Sequence, residues 1–164
     1  MSSAPPLSLV IERGGGEALD EVMTVMTSAF DRRFGEAWTR AQCAGILPMV
    51  GVTLMLARQD GEVAGFSLAR RILDEAELLL IAVHPDHVGS GIGTQLLKRF
   101  VADQQHAGAH HLHLEVRDGN PAVRLYRNNG FTVVGRRSDY YRGTDGERFD
   151  ALTMALFAQH ATST

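Results

Sequence analysis

Cysteine is almost missing from this chain, as are long apolar runs and any surplus of charge of one sign. Cys43 is the only thiol in 164 residues, which excludes an internal disulfide and any multi-cysteine metal site. A reducing, cytoplasmic setting is expected from that usage. No apolar stretch approaches the roughly 20 residues that a membrane-spanning helix needs, so no membrane partner is expected. The first residues, MSSAPPLSLVIERGGGEA, carry neither a basic leader nor a long apolar segment, and no secretory signal is expected there. Sixteen Lys and Arg stand against nineteen Asp and Glu, a net charge of −3 with no basic run, so wholesale nucleic-acid binding has no electrostatic support. Seven histidines show no zinc spacing. There is no internal repeat and no linker, and residues 1–164 are expected to fold as one domain with a real core.

What is present is a succession of short strands and amphipathic helices. LSLVIER (7–13) predicts an edge strand, and GGG (14–16) a break before a helix over 17–30 with Leu19, Val22, Met23, Met26 and Phe30 on one face. A shorter helix is expected around 36–45, carrying Trp38, with Pro48 and Gly51 at its end. Two strands joined by the Asp60-Gly61 turn follow, then DEAELLLIAV (74–83), whose unbroken apolar second half suits a central strand covered on both faces. A helix to about Gln105 precedes HHLHLEV (110–116), which alternates Leu112, Leu114 and Val116 against His111, His113 and Glu115. NPAVRLYRNNGF predicts a short helix capped by Asn120 and ended by Gly130. FTVVGRR and FDALTMALF supply two last strands, and Thr162 to Thr164 a frayed tail.

Between the central strand and its helix lies VHPDHVGSGIGT, with Gly89, Gly91 and Gly93. The first N–H groups of a helix lack internal partners and lie at the positive end of its dipole, so they attract phosphate. Glycines there let the backbone take positive φ values and approach an anion closely. By itself, such a loop serves equally well as a tight turn. Two better-known phosphate motifs are excluded: G-x-x-x-x-G-K-[ST] is absent, and Thr94 stands where the dinucleotide fingerprint needs its third glycine. No Lys or Arg lies between Arg71 and Lys98, so a phosphate here would be held mainly by amides.

The stretch VHPDHVGSGIGTQLL resembles the pyrophosphate loop of the GNAT superfamily of N-acetyltransferases, V-x-P-x-x-[Q/R]-x-x-G-x-[G/A]. Val83, Pro85, Gly91 and Gly93 match, whereas Val88 occupies the Gln/Arg position. LDEAELLLIAV, LHLEVRDGN, LYRNNGF and YYRGTDGERFDALTMAL extend the likeness, in order, to ribosomal-protein alanine N-acetyltransferases of the RimI type, over roughly residues 52–157. The first fifty residues match less clearly.

The resemblance implies an α/β fold with a mixed, mostly antiparallel sheet of about seven strands flanked by about four helices. It implies acetyl-CoA as co-substrate, held by main-chain groups of Ile81, Ala82 and Val83 and by the loop Val88, Gly89, Ser90, Gly91, Ile92, Gly93 and Thr94, with Asn120 also near it. NPAVRLY is one residue shorter than the usual N-x-x-A-x-x-L-Y, which bears on Asn120. Glu115 would take a proton from the acceptor amine, through water, and Tyr126 would give one to the departing thiolate. Tyr140 and Tyr141, expected between the last two strands, would shape the path of an acceptor peptide, the N-terminus of a ribosomal protein. No metal is implied.

Each residue also has a plainer role: Glu115 a solvated carboxylate, Tyr126 a core aromatic, Tyr140 and Tyr141 a cover for the sheet. His111, His113 and Glu115 share a face, which admits a metal or a proton relay through His113 beside ordinary packing. Direct transfer between two bound substrates needs no nucleophile, so Cys43 is expected to be structural. Three activities remain open on the sequence: acetylation of a protein α-amino group, acetylation of a small amine, and an acyl-CoA-binding module with little transfer.

Overall fold

The computed structural model describes residues 8–157, so Leu7 and the tail from Thr162 to Thr164 lie outside the described residues. Seven strands form one sheet in the order β1-β2-β3-β4-β5-β7-β6. They are β1 (Leu9–Gly14), β2 (Val52–Gln59), β3 (Glu62–Ile72), β4 (Glu75–Val83), β5 (His111–Arg117), β6 (Thr132–Arg142) and β7 (Arg148–Phe157), with helices α1 (Leu19–Ala29), α2 (Arg40–Ile46), α3 (Ile92–His106) and α4 (Ala122–Asn128). No helix among them is long and apolar enough to cross a membrane.

The β2–β3 hairpin turns on Asp60 and Gly61, both at positive φ, as a two-residue turn matching strand twist requires. Apolar alternation then divides the core. Leu54, Leu56, Phe66, Leu68 and Leu80 pack under α1 and α2, while Met55, Ala57, Ile92 and Leu96 pack on the α3 side. The α3–α4 side continues through Leu97, Phe100, Leu112, Leu114, Phe131 and Met154.

In β4 the register against β3 jumps from Leu78↔Ala69 to Leu80↔Leu68, leaving Leu79 as the extra residue of a bulge. The bulge reverses the faces: Ala76 and Leu78 join the α3–α4 core, and beyond it Leu80 and Ala82 turn to α1. That is why LLLIAV shows no alternation. Among the described residues the only parallel pair, β4 with β5, keeps register just from Glu75↔His111 to Leu78↔Leu114. Past those rungs each strand continues without the other, and the sheet opens into a cleft.

Two expectations need correction. The second helix begins at Arg40 rather than 36, and Trp38 precedes it in the loop. Thr39 sets that start, because Gln42 N–H donates to its Oγ1 at 3.2 Å and Gln42 Oε1 accepts its N–H at 2.8 Å. Tyr140 and Tyr141 lie inside β6, not between β6 and β7, because that strand absorbs extra residues in two bulges and runs on to Arg142.

Candidate active site

From Val83 the chain passes through one 3-10 turn, Pro85–His87, into the glycines. Gly89 and Gly91 take φ of 91° and 82°. A Cβ on either would meet nothing within 4 Å, so conformation rather than space demands glycine. Gly93 differs: its Cβ would come within 3.4 Å of the Leu125 side chain, where α3 begins against α4. The first α3 bond is Gln95 N–H to the Gly91 carbonyl, 3.0 Å. Among the described residues no protein acceptor meets the amides of Gly89, Ser90, Gly91, Ile92, Gly93 and Thr94. Six amides without a protein acceptor, at the start of a helix and with no Lys or Arg within the loop, fit a bound diphosphate. Val88, 70% exposed, lies at the edge of this loop.

Val88 and Gly93 of the loop line a cleft of about 560 Å³ between the splayed strands, together with Ile81, Ala122, Tyr126, Glu115, Tyr140 and Tyr141. His84 N–H donates to the Ala64 carbonyl at 2.7 Å. By the two-residue repeat of a strand, the Ala82 main chain therefore also faces β3, and the amides of Ile81 and Val83 face the open edge. Of the three expected main-chain donors, Ala82 is thus used by the sheet, while Ile81 and Val83 remain free for a thioester arm.

Glu115 stands where β5 leaves β4, its side chain only 10% exposed. Thr153, directly opposite on β7, donates its hydroxyl to Oε2 at 2.7 Å, and Arg137 Nε lies 3.1 Å from Oε1. The Tyr141 hydroxyl donates to the Glu115 carbonyl at 3.3 Å. A carboxylate so held is oriented rather than merely solvated. Tyr126, 5% exposed, comes from α4 and packs edge-on against Phe131. Its hydroxyl has no protein partner among the described residues and lines the cleft. Burial, with some help from the Glu36 charge, pushes its pKa well above the ordinary phenol value, so it is protonated at neutral pH.

Sequence reasoning missed Glu36 and Arg117. Glu36, in the loop before α2, accepts from Arg117 Nε at 2.7 Å and from Asn120 Nδ2 at 2.6 Å. The Arg117 guanidinium lies 3.6 Å from the centre of the Phe34 ring. Asn120 Oδ1 accepts the Ala122 N–H at 2.8 Å, so both ends of its amide are committed within the protein, although the N-cap position falls on Pro121, one residue later than expected. The only sequence signal was a lone arginine closing an apolar strand; its partner lies 81 residues away, in the part that matches relatives least.

His113 bonds to Glu77 across β4 and β5 at 3.5 Å, and His111 sits edge-on to Phe157. Glu115 is held elsewhere, and among the described residues no group of three or more His, Cys, Asp or Glu could hold a metal. Cys43 is buried under α1 and burial raises its pKa, leaving it inert.

A splayed sheet, loop amides without a protein acceptor, and a held carboxylate and a phenol lining one cleft suit a transferase of acyl groups from a phosphate-bearing carrier. Residues 51–133 match the family model described as an acetyltransferase (GNAT) domain. The chain belongs to the GNAT acetyltransferase family. It is 42% identical over 99 residues to the [ribosomal protein bS18]-alanine N-acetyltransferase of Escherichia coli, a stretch covering 60% of this chain and 66% of that enzyme, just under two thirds. The crystal structure of the ribosomal-protein-S18-alanine N-acetyltransferase from Escherichia coli superposes with a TM-score of 0.82 and 30% identity, covering 96% of this chain and 99% of that one. A putative acetyltransferase from Salmonella typhimurium, solved with its cofactor acetyl-CoA, shares the fold at a TM-score of 0.75 and 20% identity, over 96% and 98% of the two chains. The co-substrate of the family is acetyl-CoA, and the seven-stranded sheet with four helices is the family fold.

Proposed function

We propose that this protein transfers acetyl from acetyl-CoA directly to an α-amino group, that of an N-terminal alanine on a small-subunit ribosomal protein, in the cytoplasm. One observation carries the proposal: Glu115, its carboxylate oriented by Thr153, and Tyr126, its hydroxyl unpartnered among the described residues, line one cleft together with Val88 and Gly93 of the glycine loop. The name borne by the Escherichia coli enzyme, to which this chain is 42% identical over 99 residues and whose structure it matches over 96% of its length, supports the choice of acceptor.

Acetyl-CoA supplies the activated thioester. The amides from Gly89 to Thr94 hold its diphosphate, and Ile81 and Val83 present N–H groups to the arm. These donors are fixed before reaction and need not reorganise as charge develops on the carbonyl oxygen. Glu115 takes a proton from the acceptor ammonium through water, while Thr153 holds the carboxylate in place. An α-amino group, with a pKa of about 7.7–8.0, is often neutral already near pH 7; lysine, at about 10.4, rarely is. One carboxylate base therefore suffices for an N-terminal acceptor. Tyr126, kept protonated by burial, gives its proton as the C–S bond breaks.

Release of free thiol from acetyl-CoA should be seen with an alanine-starting ribosomal peptide. It should be absent with the same peptide blocked at its N-terminus, and slow with lysine side chains or simple amines. Equal turnover of small amines, or no dependence on a free N-terminus, would overturn the proposed acceptor.

A further inference from the structure

Tyr140 and Tyr141 are sequence neighbours, yet both line the cleft and their rings meet edge-to-face at 4.9 Å. A regular strand sends adjacent side chains to opposite faces. The exception has a local cause. Against β7, β6 passes from Arg137↔Ala151 to Tyr141↔Phe149, so Ser138, Asp139 and Tyr140 together face Asp150 alone. Asp139 sits at φ 53°, a left-handed conformation that Asp tolerates better than most residues.

Asp150 ties this bulge down with both oxygens. Its Oδ1 accepts the Asp139 N–H at 3.0 Å and its Oδ2 accepts from Arg136 at 2.9 Å. Arg136 also pairs with Asp118, just after β5, at 2.8 Å. The Asp150 carbonyl accepts the Asp118 N–H at 2.9 Å, closing the network. The hydrogen bond from Asp139, then the Arg136 charge, hold the Asp150 carboxyl below its ordinary pKa. None of these groups lines the cleft.

We infer that Asp150 and Asp139 are positioning residues for the acceptor: the Asp150 carboxylate locks the left-handed turn at Asp139 and thereby aims both tyrosines at the acceptor end of the cleft. This rests on the proposed function only in taking the tyrosine end as the acceptor end. Among the described residues no hydrogen bond or ion pair joins the glycine loop to Asp150, Asp139, Arg136 or Asp118, so cofactor binding should not sense the lock.

The test is steady-state kinetics on Asp150→Ala, Asp150→Asn, Asp139→Gly and Asp139→Val, using whichever amine the wild-type protein turns over, peptide or small. Asp150→Ala should raise the acceptor KM roughly tenfold with the acetyl-CoA KM within about twofold. Asp150→Asn retains an oxygen for the Asp139 amide and should restore most of the acceptor KM. Asp139→Gly should behave as wild type, and the β-branched Asp139→Val as Asp150→Ala. Amide hydrogen exchange adds a readout independent of turnover: the Asp139 N–H should be protected in wild type and Asp150→Asn and exposed in Asp150→Ala. An unchanged acceptor KM in Asp150→Ala, equal rises in both KM values, or failure of the Asn variant to rescue would overturn the inference. Turnover of small amines alone would sink the peptide acceptor and leave these ratios to decide the positioning role. A wild-type protein active on neither would sink both.

Discussion

Tyr126 shows how one hydroxyl can be separated from the fold around it. Its ring is buried against Phe131, while its oxygen bonds to no protein atom among the described residues. Tyr126→Phe therefore removes no structural hydrogen bond and leaves the packing intact. Loss of general acid assistance typically costs about 10²–10⁴ in rate. Turnover should fall by at least about 100-fold, with acetyl-CoA affinity by titration and the melting temperature nearly unchanged. A variant with wild-type kcat would remove Tyr126 from the acid role. Glu115 and Tyr126 were legible as residue types at given places. That Thr153 and Arg137 fix the carboxylate, and that Asn120 is spent on Glu36, was not, because those partners are brought in from other strands and loops.

At the scale of an element, the glycine loop and the start of α3 are proposed to hold the diphosphate by amides alone. Val88 is exposed at the edge of this loop, at the Gln/Arg position of the motif the loop resembles. An exposed ion pair contributes only about 0.2–1 kcal/mol, so Val88→Arg should tighten CoA binding by up to about fivefold at low salt. It should also steepen the salt dependence, since an added exposed charge is screened. Calorimetric titration at low and high salt checks this; identical curves for the two proteins would mean the diphosphate does not lie beside residue 88. The loop, its helix and the β2–β3 hairpin were read correctly from glycine placement and apolar period. The start of α2 was misplaced, because a capping box at Thr39 and Gln42 outweighed the pattern that seemed to include Trp38. The reach of β6 was misjudged, because its bulges break the period by which strands are recognised.

For the molecule as a whole, the opening between β4 and β5 is the decisive feature, and His113 with Glu77 forms a rung just before it. The hydrogen bond that His113 donates to Glu77 raises the His113 pKa, and the same bond lowers that of Glu77. A group raised in the folded state stabilises fully below its unfolded pKa, about 6.5, and the contribution fades as pH climbs through the raised value. For Glu77 the sign is opposite: its contribution is present above its ordinary range and is lost as pH falls through the lowered value. The melting temperature should accordingly decline as pH rises from about 6.5 through the raised His113 value, and His113→Gln should flatten that decline. Equal slopes for wild type and variant would show that the pair does not couple the strands.

Local sequence was enough to specify the elements and the chemistry available to them: an alternating set of strands, a helix opened by glycines, a glutamate at a strand end and a tyrosine on a short helix. Such features depend on local backbone preference and on the period of apolar residues, which neighbours along the chain can specify. Only the tertiary structure decided that β4 and β5 part after four rungs, that Ala82 faces β3, that Glu36 bridges Arg117 and Asn120, and that a bulge turns two tyrosines the same way. Each of these joins residues far apart in the chain, and the free energy that selects them exists only once the sheet has closed around its core.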